Sequence, residues 1–373
     1  MKSFRLLVLL AVVSVQLGAQ IDLNGYVKSF AYVNTHSGEF ERLGTRFQTR
    51  LSGSWNDQTG IFAAVNFEAD LGTQAADSTG EHFSIFPVEF YLDYHTRMVD
   101  FRLGRQLIFW GVVDWVSPAD VINPWDHSRM SGEIEDYRLP VTAASATAYW
   151  SDFQLQAVLI PTFEPVDMPL PPGTETSMPE KKLSNSQLGA RLTSYLGLAD
   201  ISLTLFDGFE AYPEVRPDGM SLRAEYPRYQ LLGCDVVRPV GAWALKGEAA
   251  YLRRADRDGT DPFKRNSQLR GMAGVDYNPT DRLSLSCQGS LDAYLNYNED
   301  ADTDSLAAMG LTGMFQPEPA VTPQASLMLN WQAGDYVAVQ VMGLYNLEAE
   351  DALLLTFASW DIADGFQALL GGI

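Results

Sequence analysis

The sequence predicts an all-β protein, a transmembrane antiparallel up-and-down β-barrel of roughly 16 to 18 strands. Three observations predict it. Apolar and polar residues alternate along many stretches, the period of a strand lying between two environments. Charge returns to the same face in strand after strand, which a soluble antiparallel sandwich rarely needs. Short turns alternate with long connections, as in barrels that keep short turns on the periplasmic side and long loops outside.

The chain opens with what reads as a secretory signal over residues 1–19. Lys2 and Arg5 are its basic start, Leu6 to Val15 an apolar run too short to span a bilayer, and Gly18-Ala19 a small-residue exit. Residues 20–373 are then the barrel. No later stretch has the roughly 18 uninterrupted apolar residues of a membrane helix, so the apolar residues are expected to meet lipid from strands, in the bacterial outer membrane. The formal net charge of −21 becomes more negative once Lys2 and Arg5 leave, which argues against nucleic acid as a partner.

Strand by strand, the clearest alternation runs from Arg42 to Trp55, with Arg42, Arg46, Gln48 and Arg50 on one face and Leu43, Phe47 and Leu51 on the other. After a turn at Asn56–Gly60, Asn66, Glu68 and Asp70 share the polar side, opposite Ile61, Val65 and Phe67. Phe86, Val88, Phe90, Leu92 and Tyr94 then alternate with Glu89, Tyr91, Asp93 and His95, and Phe101 and Leu103 with Arg102 and Gly104. Further strands begin near Ile21, Leu139, Phe153, Asn185, Ile201, Tyr229, Ala242, Leu269, Leu283, Gln324, Val337, Ala352 and Phe366. That makes about 17, where bacterial single-chain barrels use an even number, so a closing strand is expected beyond Ile373. Asn298 to Thr322 is expected to be an external loop, with a weak alternation over Ala307, Met309, Leu311, Gly313 and Phe315 extending above the membrane.

The two cysteines, Cys234 and Cys287, fall on strands three places apart. At about 4.8 Å per strand the gap is about 14 Å, beyond disulfide reach. Both are expected to be free thiols.

The connection after Gln106 is too long and too aromatic for a surface turn. Over residues 108–136 it is expected to fold inward and narrow the barrel. Ser117-Pro118-Ala119-Asp120 reads as a short helix start, with Ser117 as cap, proline at the first position and Asp120 completing a capping box.

Arg102-Leu103-Gly104-Arg105-Gln106, then Phe109-Trp110-Gly111 and Asp120-Val121-Ile122-Asn123-Pro124, resemble a pattern of porin-like outer-membrane barrels of the alginate-export type. Arg238 to Ala249 resembles a later strand pair of that group. The motifs cover a small part of the chain. The resemblance implies a barrel and a basic, Arg-lined pore, but fold does not carry substrate, and here acids stand among the arginines.

Those charges are the candidate pore residues. Arg42, Arg46, Arg50 and Arg102 are expected to project inward beside Glu68, Asp70, Glu89 and Asp93. One reading is a transverse field that orients solutes; the other is a cross-strand charge ladder that satisfies a polar interior. Arg105 has the wrong parity for the interior unless Gly104 hosts a bulge, and is expected to pair with the folded-in segment. Within that segment Asp114, Asp120, Asp126, Arg129, Glu133, Glu135 and Asp136 make either a mostly acidic eyelet or a solvated loop. Trp110, Trp115 and Trp125 are either sugar-stacking surfaces or packing residues, the latter preferred. Trp55, Tyr94, Trp150, Trp243, Tyr251, Trp331 and Trp360, near strand ends, suit an interfacial girdle.

Chemistry beyond passage finds little support. The four histidines are scattered, and no nucleophile elbow, zinc-protease helix or phosphate loop is present, so an enzyme is not expected. Asp256, Asp258 and Asp261, and Asp300, Asp302 and Asp304, have oxygen-ligand spacing without a complete calcium loop, and solvated loops are the preferred reading. No cofactor or metal is expected. The sequence thus predicts a channel for passive or facilitated passage of small polar solutes, in contact with outer-membrane lipid and lipopolysaccharide. A homotrimer is its candidate assembly. The alternatives are an export conduit or assembly partner for a surface polysaccharide, and a plugged adhesive barrel.

Overall fold

A computed structural model describes residues 20–72, 82–112, 117–126, 134–166, 168, 170–219, 221–259, 261–309, 319–363 and 366–372. The expected signal over residues 1–19, and Asp114, Trp115, Arg129 and Glu133, lie outside them. The protein is all-β, with the up-and-down antiparallel topology of a transmembrane β-barrel. Seventeen strands belong to one sheet: β1 (Gln20–Val33), β2 (Phe40–Asn56), β3 (Thr59–Asp70), β4 (Phe83–His95), β5 (Val99–Gln106), β6 (Val141–Trp150), β7 (Phe153–Ile160), then, beyond the short β8 (Thr174–Ser177), β9 (Gln187–Tyr195) and β10 (Asp200–Phe209). After β11 (Glu214–Asp218) and β12 (Ser221–Glu225) come β13 (Arg228–Val240), β14 (Trp243–Arg253), β15 (Gln268–Thr280), β16 (Leu283–Tyr294), β17 (Val321–Gln332), β18 (Val337–Asn346), β19 (Asp351–Ala363) and β20 (Phe366–Gly372). These are the strands the alternation predicts. Among the described residues no helix is long and apolar enough to cross a membrane.

Two compact units divide the chain: residues 1–108, 122–150 and 156–169 in the first, residues 109–121, 151–155 and 170–373 in the second. In the first, β1 to β6 pair antiparallel in sequence order. In the second, β9, β10 and β13 to β20 do the same.

Burial runs opposite to that of a soluble protein. On β10, Thr204 is 0% exposed while its neighbours Leu203 and Leu205 are 52% and 56% exposed. On β2, Arg42, Arg46 and Gln48 are buried while Leu43 and Phe47 are exposed. Apolar residues on display beside covered polar ones fit a strand whose apolar side meets lipid. Trp150, Trp243, Trp331 and Trp360 stand exposed at the short-turn ends of their strands, and Trp243 stacks on Tyr277 at 4.1 Å between centroids. That is where a bilayer interface places amphipathic rings. Trp55 instead packs against a local cluster of Leu51, Ile61 and Ala63, with Ile21 and Phe90. Cys234 and Cys287 are free and exposed, on β13 and β16.

Three expectations change. A bulge in β4 pairs Glu89 with Ala64 but Pro87 with Val65, so Val88 is the extra residue. Parity flips there, and Phe86 joins the polar face opposite Asn66 instead of the apolar one. In the second unit, β11, β12 and β8 form a separate three-stranded sheet, with β12 and β8 parallel, inside connections the sequence leaves as loops. The long segment after β16 holds α1 (Glu299–Ala308), so the alternation expected from Ala307 does not begin as a strand. The acid-rich first turn of α1 meets the positive end of the helix dipole.

Candidate functional site

In the first unit, the polar faces of β1 to β3 and the 3-10 turn Ile134–Tyr137 form one ion-pair network. Register sets Arg46 opposite Glu68 and Lys28 opposite Arg46. Arg42 donates from Nε to Asp70 Oδ2 at 2.7 Å and from Nη2 to Glu68 Oε1 at 2.5 Å. Arg46 donates from Nε to Glu68 Oε2 at 2.7 Å and from Nη1 to Asp136 Oδ1 at 2.6 Å. Lys28 Nζ lies 3.6 Å from Asp136 Oδ2. The Arg42 guanidinium also sits 4.5 Å from the Phe30 ring centroid. Four of the predicted residues (Arg42, Arg46, Glu68 and Asp70) are thus brought together and buried.

The others sit differently. Arg50 is exposed, donates to Gln48 Oε1 and lies over Tyr26. Arg102 forms a bidentate pair with Asp93, at 2.7 and 3.1 Å, and covers the Tyr91 ring at 3.7 Å. Glu89 Oε1 accepts from the Leu107 N–H at 3.0 Å, at the root of the long connection. Arg105 departs from expectation. Register alternates it away from Arg102, Gly104 shows φ +140° without a register shift, and its guanidinium pairs with Glu164 at 2.9 Å rather than with residues 108–136.

The motif residues of the connection are its internal ties. Gln106, 1% exposed, donates to the Ala143 carbonyl at 3.0 Å and accepts from Ser145 Oγ at 3.1 Å. Asn123 accepts from the Ile108 N–H at 2.7 Å and donates to the Leu139 carbonyl at 2.9 Å, joining three passes of chain through one side chain. Trp125 carries the Arg138 guanidinium 3.8 Å over its ring. Asp126 donates its N–H to the Tyr137 carbonyl at 2.7 Å.

In the second unit, residues 109–112 and 117–121 meet the polar face of β9, β13 and β14. Glu248, buried on β14, holds them: its Oε1 accepts from Ser117 Oγ at 2.5 Å and from the Ala119 N–H at 2.7 Å, and its Oε2 from the Val112 N–H at 3.3 Å. One polar-face glycine makes room: a Cβ on Gly189 would fall 2.5 Å from the Trp110 ring, whereas one on Gly233 would make only ordinary contact with the Ala119 methyl, at 3.4 Å. Trp110 is 3% and Ala119 0% exposed, so Trp110 is a packing residue. The expected helix start is a single turn, Asp120 N–H to Ser117 O at 3.2 Å, with Asp120 half-buried on it. Ser117 Oγ donates to the Glu248 carboxylate instead of accepting the Asp120 N–H, which goes to the Ser117 carbonyl.

The sequence reading passed over Glu248 and its neighbours on the same face. Arg191 pairs with Asp235 at 2.7 Å and donates to Thr204, and Lys246 pairs with Asp276 at 2.7 Å. Lys246 and Glu248 do alternate with apolar residues in WALKGEAA, the signal that was available.

Among the described residues no group of three or more His, Cys, Asp or Glu side chains is arranged to hold a metal ion. The loop acids are placed otherwise. Asp256 accepts from the Gly259 and Asp261 N–H groups, and Lys264 pairs with Asp261 at 2.6 Å. On α1, burial first and then the charges of Asp256 and Asp261 hold the Asp302 carboxyl above its ordinary value of 3.8. An acid with a raised folded pKa binds its proton more tightly folded than unfolded, so its contribution is complete below the ordinary value and lost as pH rises through the folded one. Hydrogen-exchange protection of α1, corrected for intrinsic rates, is therefore expected to fall as pH rises above the ordinary carboxyl value and through the raised one. Asp302→Asn is expected to flatten that dependence, and an unchanged slope in the variant would refute the assignment.

No protein-family model and no curated protein matches the sequence. Solved structures do. A loop L8 deletion mutant of OmpT, an outer membrane protein of Vibrio cholerae, is similar at 10% identity and a TM-score of 0.50, over 91% of this chain and 97% of that one. The trimer form of in-vitro folded OmpT from Vibrio cholerae is similar at 9% identity and 0.50, over 90% and 93%. Salmonella typhi OmpF in complex with daunomycin is similar at 9% identity and 0.50, over 92% and 98%. Likeness at this identity shows the fold. That fold is a porin-like β-barrel, and the covered, charged strand face is consistent with it. The leucines exposed on the strands fit an apolar surround such as lipid. The finer likeness to alginate-export barrels gains no support from these comparisons. One expectation is corrected: structures of OmpT are among those the chain resembles, at an identity that fixes fold and not chemistry, so the exclusion of an enzymatic role is withdrawn.

Proposed function

We propose that the chain is an outer-membrane channel for passive or facilitated passage of small hydrophilic solutes. In this reading residues 108–136 fold inward and narrow the path, and the barrel is bounded by outer-membrane lipid and lipopolysaccharide. One observation carries it: ion pairs cover one face of the strands while leucines are displayed on the other. A polar, charged face on the side away from the displayed leucines is the lining that water-filled barrels carry. The hydrogen bonds of Val112, Ser117 and Ala119 to Glu248 support the constriction. Assembly as a homotrimer belongs to the same proposal and is checked by crosslinking in detergent.

Planar-bilayer recording of refolded full-length protein is the test. Discrete conductance steps are expected, with their size reduced by polymers too large to enter. Folded protein, verified by its strand circular dichroism, that gives no steps at any voltage overturns the reading.

A further inference from the structure

The polar face of the second unit changes character toward the end of the chain. From β13 to β16 it carries Arg191-paired Asp235, Lys246, Glu248, Asp276 and Asp292. From β17 to β19 the row in register with Asp276 and Ser286 is Met328, Met342 and Leu355, and the row in register with Ser284 is Asn330, Gln340 and Phe357. Met342 and Leu355 pair across strands and are buried, an apolar layer where the alternation elsewhere places charge. A cavity opens beside this layer, lined by Ser284, Asn330, Gln340, Phe357, Ser359 and Leu369. The charged residues of its lining, Asp281 and Arg282, are turn residues at one end, and Arg282 is paired with Asp335 at 2.7 Å.

Two details give the cavity recognition chemistry. Phe357 faces Gly371 across the β19–β20 pair, and a Cβ built on that glycine would fall 2.1 Å from the ring. The missing side chain lets the ring lie against the backbone as a platform. Gln340 Nε2 donates to Asn330 Oδ1 at 3.0 Å. That bond leaves the Asn330 Nδ2 donor beside the Gln340 Oε1 acceptor, a pairing that matches the adjacent hydroxyls of a diol. An apolar ring, an amide pair and the Ser284 and Ser359 hydroxyls, without a charge among them, suit a molecule with one C–H face and a hydroxylated edge.

We propose that this cavity is a subsite for an uncharged, hydroxyl-bearing solute of pyranose size, stacked on Phe357 and hydrogen-bonded by Asn330 and Gln340. The proposal names the solute class for the channel reading and rests on it for its setting. The probe is methyl β-glucoside, observed by saturation-transfer NMR on full-length protein in detergent. Transfer to the sugar C–H protons is expected in the wild type. Phe357→Leu, and separately Asn330→Ala with Gln340→Ala, are expected to bind roughly three- to tenfold more weakly. Leu354→Val, on the opposite face, is expected to bind as the wild type does. Gluconate and glucosamine, of like size but charged, are expected to compete poorly.

Wild-type protein that conducts in bilayers but shows no transfer overturns the subsite and leaves the channel standing. Transfer that is equal in wild type, Phe357→Leu and the amide variants also overturns it. Should a variant fail to fold, Phe357→Tyr, which keeps the ring, serves as the second measure. It is expected to retain binding, and loss of transfer in a folded Phe357→Tyr counts against the stacking platform.

Discussion

Glu248→Ala is expected to raise single-channel conductance and its noise while the protein still folds. The carboxylate accepts the Ser117 hydroxyl and the Val112 and Ala119 N–H groups, and the Ala119 donor it satisfies is fully buried. Bonds to a charged acceptor contribute about 1.5–3 kcal/mol each. Two of them outweigh the ordering of a short turn and, once lost, shift the seated population by about 100-fold or more. The strands keep their ladders, since Glu248 is held in β14 by backbone pairs on both sides. Glu248→Gln keeps one acceptor oxygen and is expected to lie between wild type and alanine. Ser117→Ala removes one bond and is expected to give a smaller rise in the same direction. Conductance unchanged in all three would place Val112, Ser117 and Ala119 away from the path of current.

What the sequence made legible divides along physical lines. Alternation is a local property, so the strands and the polar side of β2 and β3 could be read without coordinates. The flip at Val88 could not, because a bulge is one extra residue and the sequence on either side still alternates. The hairpin of β11 and β12 carried a signal that went unused: Pro217-Asp218-Gly219 is turn chemistry between two short runs. In α1, three acids at alternate positions read as loop ligands and concealed a helix.

The site shows the same division. Arg46 and Glu68 were placed together because they sit on hairpin-connected strands. Glu248 and Ser117 stand 131 residues apart, and parity says which face a residue takes but not what rests on it. Arg105 likewise found Glu164, 59 residues onward, instead of a partner in the folded-in segment. Gln106 and Asn123, which stood out as motif residues, turn out to tie the connection together from within, so their hydrogen-bond work explains them without a role in passage.

Glu68→Ala is expected to produce the largest loss of stability among the charged residues of the first unit. Glu68 is 2% exposed and accepts from both Arg42 and Arg46, so its removal takes one carboxylate partner from each of two buried guanidinium groups. Breaking a buried pair from one side costs about 3–5 kcal/mol. Arg42 retains Asp70 and Arg46 retains Asp136, which holds the loss to that range instead of doubling it. Urea unfolding in detergent, followed by Trp fluorescence, measures it. Glu68→Gln, with one acceptor oxygen kept, is expected to lose less. The Arg102–Asp93 pair supplies the contrast, being more open to solvent at 36% and 18% side-chain exposure. Exposed pairs contribute about 0–1 kcal/mol, so Asp93→Asn is expected to fold normally and to shift ion preference toward anions in reversal-potential measurements. The two variants separate the two readings of the charged face. A ladder that only fills a polar interior moves stability at Glu68 and leaves selectivity alone at Asp93, whereas a transverse field is felt by ions wherever an arginine loses its partner.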